Sequence, residues 1–88
     1  MSIRKVSIRQ LKAARALIGW SQEDLAGAAG VSLPTIKRLE SNEGELGGRV
    51  TTAVNLQKAL EDAGIEFIYE DGGGPGVRLR KSQRSKKK

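Results

Sequence analysis

The chain is expected to fold as a mainly α domain of four helices, followed by a C-terminal β-hairpin and a disordered basic tail. Three observations predict this. Apolar residues recur at helical spacing in four runs between residues 8 and 63. Two of these runs, inside residues 22–40, meet at a turn of Gly30 and Val31 that is too tight for an ordinary loop. After Gly64 the hydrophobic period drops from about 3.6 residues to about 2, the alternation of a strand. The division that follows is a helical domain over residues 1–64, a hairpin over 65–81 and a tail over 82–88.

Ser7, with Gln10 three residues on, makes a capping box, and Ile8, Leu11, Ala14, Leu17 and Ile18 then mark a first helix over about residues 8–19, ended by Gly19. Ser21 caps a second helix. Glu23 and Asp24 stand in its first turn, where the helix dipole favours acids, and Leu25, Ala26 and Ala29 form its inner face. Gly30 takes the corner that needs a positive φ, while the small Ala26 lets the crossing backbones approach. Ser32 caps a third helix, which tolerates Pro34 because first-turn amides have no partner within the helix. Its inner face is Ile36 and Leu39. The stretch SNEGELGGR (residues 41–49) reads as a loop. Thr51 or Thr52 is then expected to cap a fourth helix that turns Ala53, Leu56, Ala59, Leu60 and Ala63 inward until Gly64 stops it. Beyond it, Ile65, Phe67 and Tyr69 alternate with Glu66, Ile68 and Glu70. DGGGPG (residues 71–76) turns the chain, and Val77 and Leu79 alternate with Arg78 and Arg80. The residues after Lys81 include nothing apolar that burial would order.

With 88 residues, one domain burying about 60 to 65% of its unfolded surface is all the chain can build, too little to house a catalytic cleft easily. There is no Cys and no His, which removes disulfides, thiolate and imidazole metal sites and the commonest general base. No enzyme, metal site or cofactor is expected. The N-terminus lacks an apolar run of signal-peptide length, and no stretch approaches a membrane span, so a cytoplasmic location is the expectation. The net charge of +6 is unevenly placed: residues 1–49 carry 8 basic and 5 acidic groups, residues 50–76 carry 1 and 5, and residues 77–88 carry 7 and none. The part expected to fold is therefore close to neutral. Any attraction to nucleic acid rests on placement: Arg4, Lys5, Arg9, Lys12 and Arg15 near one end, Lys37 and Arg38 on the third helix, and the tail as a nonspecific electrostatic arm.

The segment QEDLAGAAGVSLPTIKRLE, with its glutamine at the head of one short helix and IKRLE closing the next, resembles the helix-turn-helix of the phage-repressor (Cro and Xre type) DNA-binding family. The resemblance runs from about residue 10 to residue 64. It implies a four-helix, repressor-like domain, double-stranded DNA as the partner, and a bacterial or phage-encoded, nucleoid-associated protein. In such a motif the second helix enters the major groove with its N-terminal residues against base edges, and the first lies across the backbone. The base-contacting candidates are then Ser32, Leu33, Pro34, Thr35 and Arg38. Arg38, one turn on from Thr35, alone among them donates two parallel hydrogen bonds to guanine O6 and N7, which makes it the expected main reader. Leu33 offers apolar contact, as to a thymine methyl. Many relatives carry glutamine or asparagine where Leu33 and Pro34 stand, so adenine recognition by an amide is not available at these positions.

Phosphate-contacting candidates are Gln22, Glu23 through its backbone amide, Lys37, Asn42 and Arg49. In the family, a glutamine like Gln22 holds a phosphate or buttresses a recognition side chain. Arg15 and Glu40 match positions that form a structural ion pair there. Trp20 is read as a staple on the core rather than a stacking platform.

An isolated two-stranded hairpin is marginal in water, so Ile65, Phe67, Tyr69, Val77 and Leu79 need a surface to cover. That surface is either the domain's own fourth helix or the same element of a second subunit; with no evident cover in the chain, they are named as the expected dimer interface, and a homodimer on an inverted-repeat operator follows. The leading expectation is a sequence-specific regulator acting by occupancy. Its rivals are the antitoxin of a toxin pair, using hairpin or tail on a small protein partner and the same motif for autoregulation, and an antiactivator that binds protein only.

Overall fold

The first helix starts where the capping box put it. In the computed structural model, which describes residues 6–47, 49–70 and 72–80, Ser7 Oγ accepts from the Gln10 amide at 3.1 Å, and Gln10 Oε1 accepts from the Ser7 amide at 2.9 Å. Helix α1 (Ile8–Ile18) ends on Gly19, whose φ of 72° is left-handed. Helix α2 (Gln22–Ala29) begins with a second capping box, Ser21 with Asp24, and ends on Gly30 at φ 69°. At both corners a Cβ would meet no neighbouring atom within 4 Å, so glycine is favoured there by the left-handed backbone itself, which residues with a side chain rarely adopt. Helix α3 (Leu33–Glu40) is capped by Ser32, with Pro34 in its first turn.

Helix α4 (Val50–Asp62) departs from expectation at its start. Its N-cap is Arg49, in extended conformation and with no side-chain cap hydrogen bond, so neither Thr51 nor Thr52 caps the helix. Both threonines lie inside the first turn because the helical dihedrals begin at Val50, and the amides that a cap would satisfy are left open. One core expectation also fails, that of Ala63, and one residue of the α1 pattern faces outward. Leu17 is 43% exposed, because the inward stripe of α1 runs Leu11, Ala14, Ile18, and Leu17 lies about 100° round the helix from Ile18. Ala63 is the exposed C-cap residue of α4.

Strands β1 (Ile65–Ile68) and β2 (Gly76–Leu79) form a two-stranded antiparallel sheet, with Ile65 opposite Leu79 and Phe67 opposite Val77. Tyr69 falls just past β1. The hairpin finds its cover within the chain: Ile65 and Phe67 are buried in the same cluster as Ile8, Leu11, Leu25, Ile36, Leu56 and Leu60, and Val77 and Tyr69 pack against it. This corrects the expectation that its apolar face lacks intrachain cover. The link is polar as well. Gln10, itself buried, donates from Nε2 to the carbonyls of Ile68 at 3.0 Å and Gly76 at 2.9 Å. Arg80 closes the other end, donating from Nη2 to the carbonyls of Glu61 and Ile65.

The residues ahead of α1 are tied to the connection between α3 and α4 by an isolated bridge between Ser7 and Glu45, flanked by Ile8 N to Gly44 O and Leu46 N to Val6 O. Arg4 and Lys5, Lys81 and the basic tail of residues 82–88 lie outside the described residues.

Candidate nucleic-acid interface

The α2–turn–α3 unit is fixed from below by apolar packing and from one side by a buried charge. Leu25, Ile36 and Leu39 sit in the core with Ala26, Ala29 and Val31 packed against them, which sets how α3 lies across α2. Glu40, the last residue of α3, is buried and accepts from Arg15 through two bonds, Nε to Oε2 at 2.8 Å and Nη2 to Oε1 at 2.6 Å. Arg15 Nη1 donates onward to the Trp20 carbonyl at 3.0 Å. Gln22 Nε2 donates to Glu40 Oε1 at 3.0 Å. Burial by itself would raise the Glu40 carboxyl. The hydrogen bonds from Arg15 and then Gln22 outweigh it, with the charges of Arg15 and Lys12 adding to them, and hold its pKa below the ordinary glutamate value. The same hydrogen bond raises Arg15 against its own desolvation.

This anchorage leaves one face of α3 outward. Ser32, Pro34, Lys37 and Arg38 are exposed, while Leu33 and Thr35 are half-buried. Ser32 and Thr35 are not independent: their hydroxyl oxygens lie 2.8 Å apart, and Ser32 Oγ also accepts from the Thr35 amide at 3.3 Å. Of the sequence candidates, Ser32, Thr35, Arg38 and Arg49 come together on one open cleft of about 460 Å³. The cleft lies between the α2–α3 turn and the first turn of α4. Its only charged residues are Arg38 and Arg49, both cationic. Two cationic side chains and the hydroxyl-bearing Ser32, Thr35, Thr51 and Thr52 therefore line a single surface, a combination suited to an anionic group.

Other candidates stand elsewhere. Leu33, Pro34 and Lys37 do not line the cleft, and Glu23 is exposed in the first turn of α2. Asn42 turns back on the helix: its Nδ2 donates to the Arg38 carbonyl at 3.2 Å, and the Ser41 hydroxyl donates to the same oxygen at 2.8 Å. Thr51, Thr52 and Asn55 line the cleft and were not among the candidates. The sign of them in the sequence was the threonine pair two residues after Arg49, masked because threonine at a helix start is so readily taken as its cap. Of the five expected interface residues, Ile65 and Phe67 are core, Tyr69 and Val77 are half-buried, and Leu79 is 50% exposed. Val50 and Val54 on α4 are also exposed.

Among the described residues, no cluster of three or more His, Cys, Asp or Glu side chains is placed to hold a metal ion, and no helix is long and apolar enough to cross a membrane. A family model described as helix-turn-helix matches residues 11–61, from the first turn of α1 to the end of α4. No curated protein matches the chain.

Proposed function

The chain belongs to the Cro/Xre-type helix-turn-helix family, and from that premise we propose that it is a sequence-specific, double-stranded DNA-binding transcriptional regulator that occupies an inverted-repeat operator as a homodimer. DNA binding of a general kind is what the family does. Specificity, dimerisation and occupancy are the proposal.

The observation that carries it is the outward face of α3 beside the start of α4. Arg38 stands free of any side-chain hydrogen bond among the described residues, one turn on from the paired Ser32 and Thr35, with Arg49 across the cleft. A base-reading arginine needs its guanidinium uncommitted, and Arg15, bound to Glu40, shows the alternative fate in the same fold. Arg49, Lys37 and the open amides of Gln22, Glu23 and the first turn of α4 are assigned to phosphate, which positions the helix without specifying sequence. Two such units read one face of DNA when their α3 helices lie about 34 Å apart, and pairing gains affinity that one short helix lacks.

Selection of bound duplexes from a random pool tests the whole reading. Recovery of a half-site repeated in inverted orientation at a spacing near one helical turn is the expected result. A single unrepeated site argues against the dimer, and no enrichment over input argues against sequence-specific binding. Co-purification with a small protein partner would favour the antitoxin reading where a site is also enriched, since an antitoxin regulates itself through the same motif, and the antiactivator reading where none is.

A further inference from the structure

The contact between Gln22 and Glu40 has a chemical consequence for how DNA is met. Gln22 is the first residue of α2 and half-buried, and its Nε2 donates to Oε1 of Glu40 at 3.0 Å. A glutamine amide turns about a broad, roughly two-fold torsion, so a free one presents its carbonyl oxygen as readily as its nitrogen. Oxygen toward a phosphate repels. An ionised carboxylate is an acceptor only, so it selects one of the two orientations, the one with nitrogen beside it. Glu40 is kept ionised by the two bonds from Arg15.

We propose that Glu40 is a positioning residue for DNA contact: it locks the Gln22 amide so that one Nε2 proton is bound within the fold and the second proton of the same nitrogen is presented to a backbone phosphate. The Arg15–Glu40 pair then does more than brace α3. It sets the polarity of a side chain on α2, so that α1, α2 and α3 reach the DNA as one prearranged unit and the amide need not be ordered on binding. This inference rests on the DNA-binding reading above and deepens the phosphate assignment of Gln22.

The test is a double-mutant cycle on duplex affinity with a spectroscopic readout on the wild-type protein. Gln22→Met removes the amide at similar length and should weaken binding about ten- to a hundredfold, the range of one hydrogen bond to a charged group. Glu40→Gln should weaken it too, and the double variant should bind no worse than the weaker single one. Factors that multiply would overturn the proposal, as would a Gln22→Met variant that binds like wild type. The free wild-type protein should show one Gln22 side-chain amide proton slow to exchange. Adding operator duplex should shift the other while the first stays bound. Release of the first proton on DNA binding would mean that Gln22 leaves Glu40 to reach the phosphate, and would also sink the idea. This measurement stands if Glu40→Gln does not fold. Wild-type protein that binds no duplex at all would remove the DNA-binding reading itself, whereas factors that multiply remove only this inference.

Discussion

Arg15 and Glu40 are joined across twenty-five positions of sequence by two bonds of 2.6 and 2.8 Å, and the carboxylate end of the pair is 3% exposed. Losing the guanidinium strands a buried charge, so Arg15→Met should lower unfolding free energy by about 3 to 5 kcal/mol. Urea unfolding measures it. A loss under about 1 kcal/mol would mean that the pair behaves as a surface one.

The same carboxylate sets a dependence on acid. Its folded pKa lies below its ordinary value, so the stabilisation is complete above the unfolded glutamate pKa of about 4.3 and disappears as pH falls through the lower folded value. Unfolding midpoints taken from pH 7 to pH 2 should hold level and then drop below about pH 4, and Glu40→Gln should remove part of that drop. Glu66, lowered by the hydrogen bond from Arg78 at the exposed surface of the hairpin, adds a part that salt suppresses. A drop identical in wild type and Glu40→Gln at high salt would refute the assignment.

Arg38 is expected to read a base and Arg49 to hold phosphate. Arg38→Ala should cost about 1 to 3 kcal/mol on the operator and relax preference at one position. Arg49→Ala should weaken all duplexes alike and reduce the slope of log affinity against log salt by about 0.9. Competition titrations at several salt concentrations separate the two behaviours. Equal losses on operator and random DNA for Arg38→Ala would reverse its role.

The hairpin should prove inseparable from the helices. A chain ending at Gly64 loses Ile65 and Phe67 from the core and leaves the Gln10 amide without its two carbonyl partners. It is expected to unfold broadly or not to fold, whereas Gln10→Ala in the full chain should cost about 1 to 3 kcal/mol. A cooperative transition of near wild-type midpoint in the truncated chain, followed by far-ultraviolet circular dichroism, would contradict this.

With Ile65 and Phe67 committed to the core, Leu79 is the exposed member of the expected interface. Leu79→Lys should shift sedimentation toward monomer while leaving the thermal midpoint within a few degrees, because little burial is lost within the chain. Val54→Lys, on α4, is the comparison. A dimer that survives the first substitution and is lost with the second places the interface on α4.

Local chemistry accounts for what the sequence made legible. Ser7, Ser21 and Ser32 mark helix starts, and Gly19 and Gly30 mark helix ends, by interactions that span only a few residues. The change of period after Gly64 likewise marks the hairpin from its own side chains. What was not legible depends on contacts between distant residues. Gln10 reads as half of a capping box, which it is, yet its other two bonds go to Ile68 and Gly76. The start of α4 was misplaced because threonine's capping preference is a local rule, overridden here by the conformation of Arg49. Thr51, Thr52 and Asn55 join the cleft only when folding packs α4 against α2 and sets its first turn opposite the α2–α3 turn.

The bonds from Gln10 to Ile68 and Gly76 also bear on when the protein becomes competent. Synthesis proceeds from the N-terminus at about 5 to 20 residues per second, and folding usually follows emergence. Here the first helix cannot satisfy its buried amide, nor the core gain Ile65 and Phe67, until the last strand has left the ribosome. An unfinished or prematurely terminated chain that already contains residues 22–40 therefore lacks two side chains of the core those residues pack on and both carbonyl partners of the Gln10 amide.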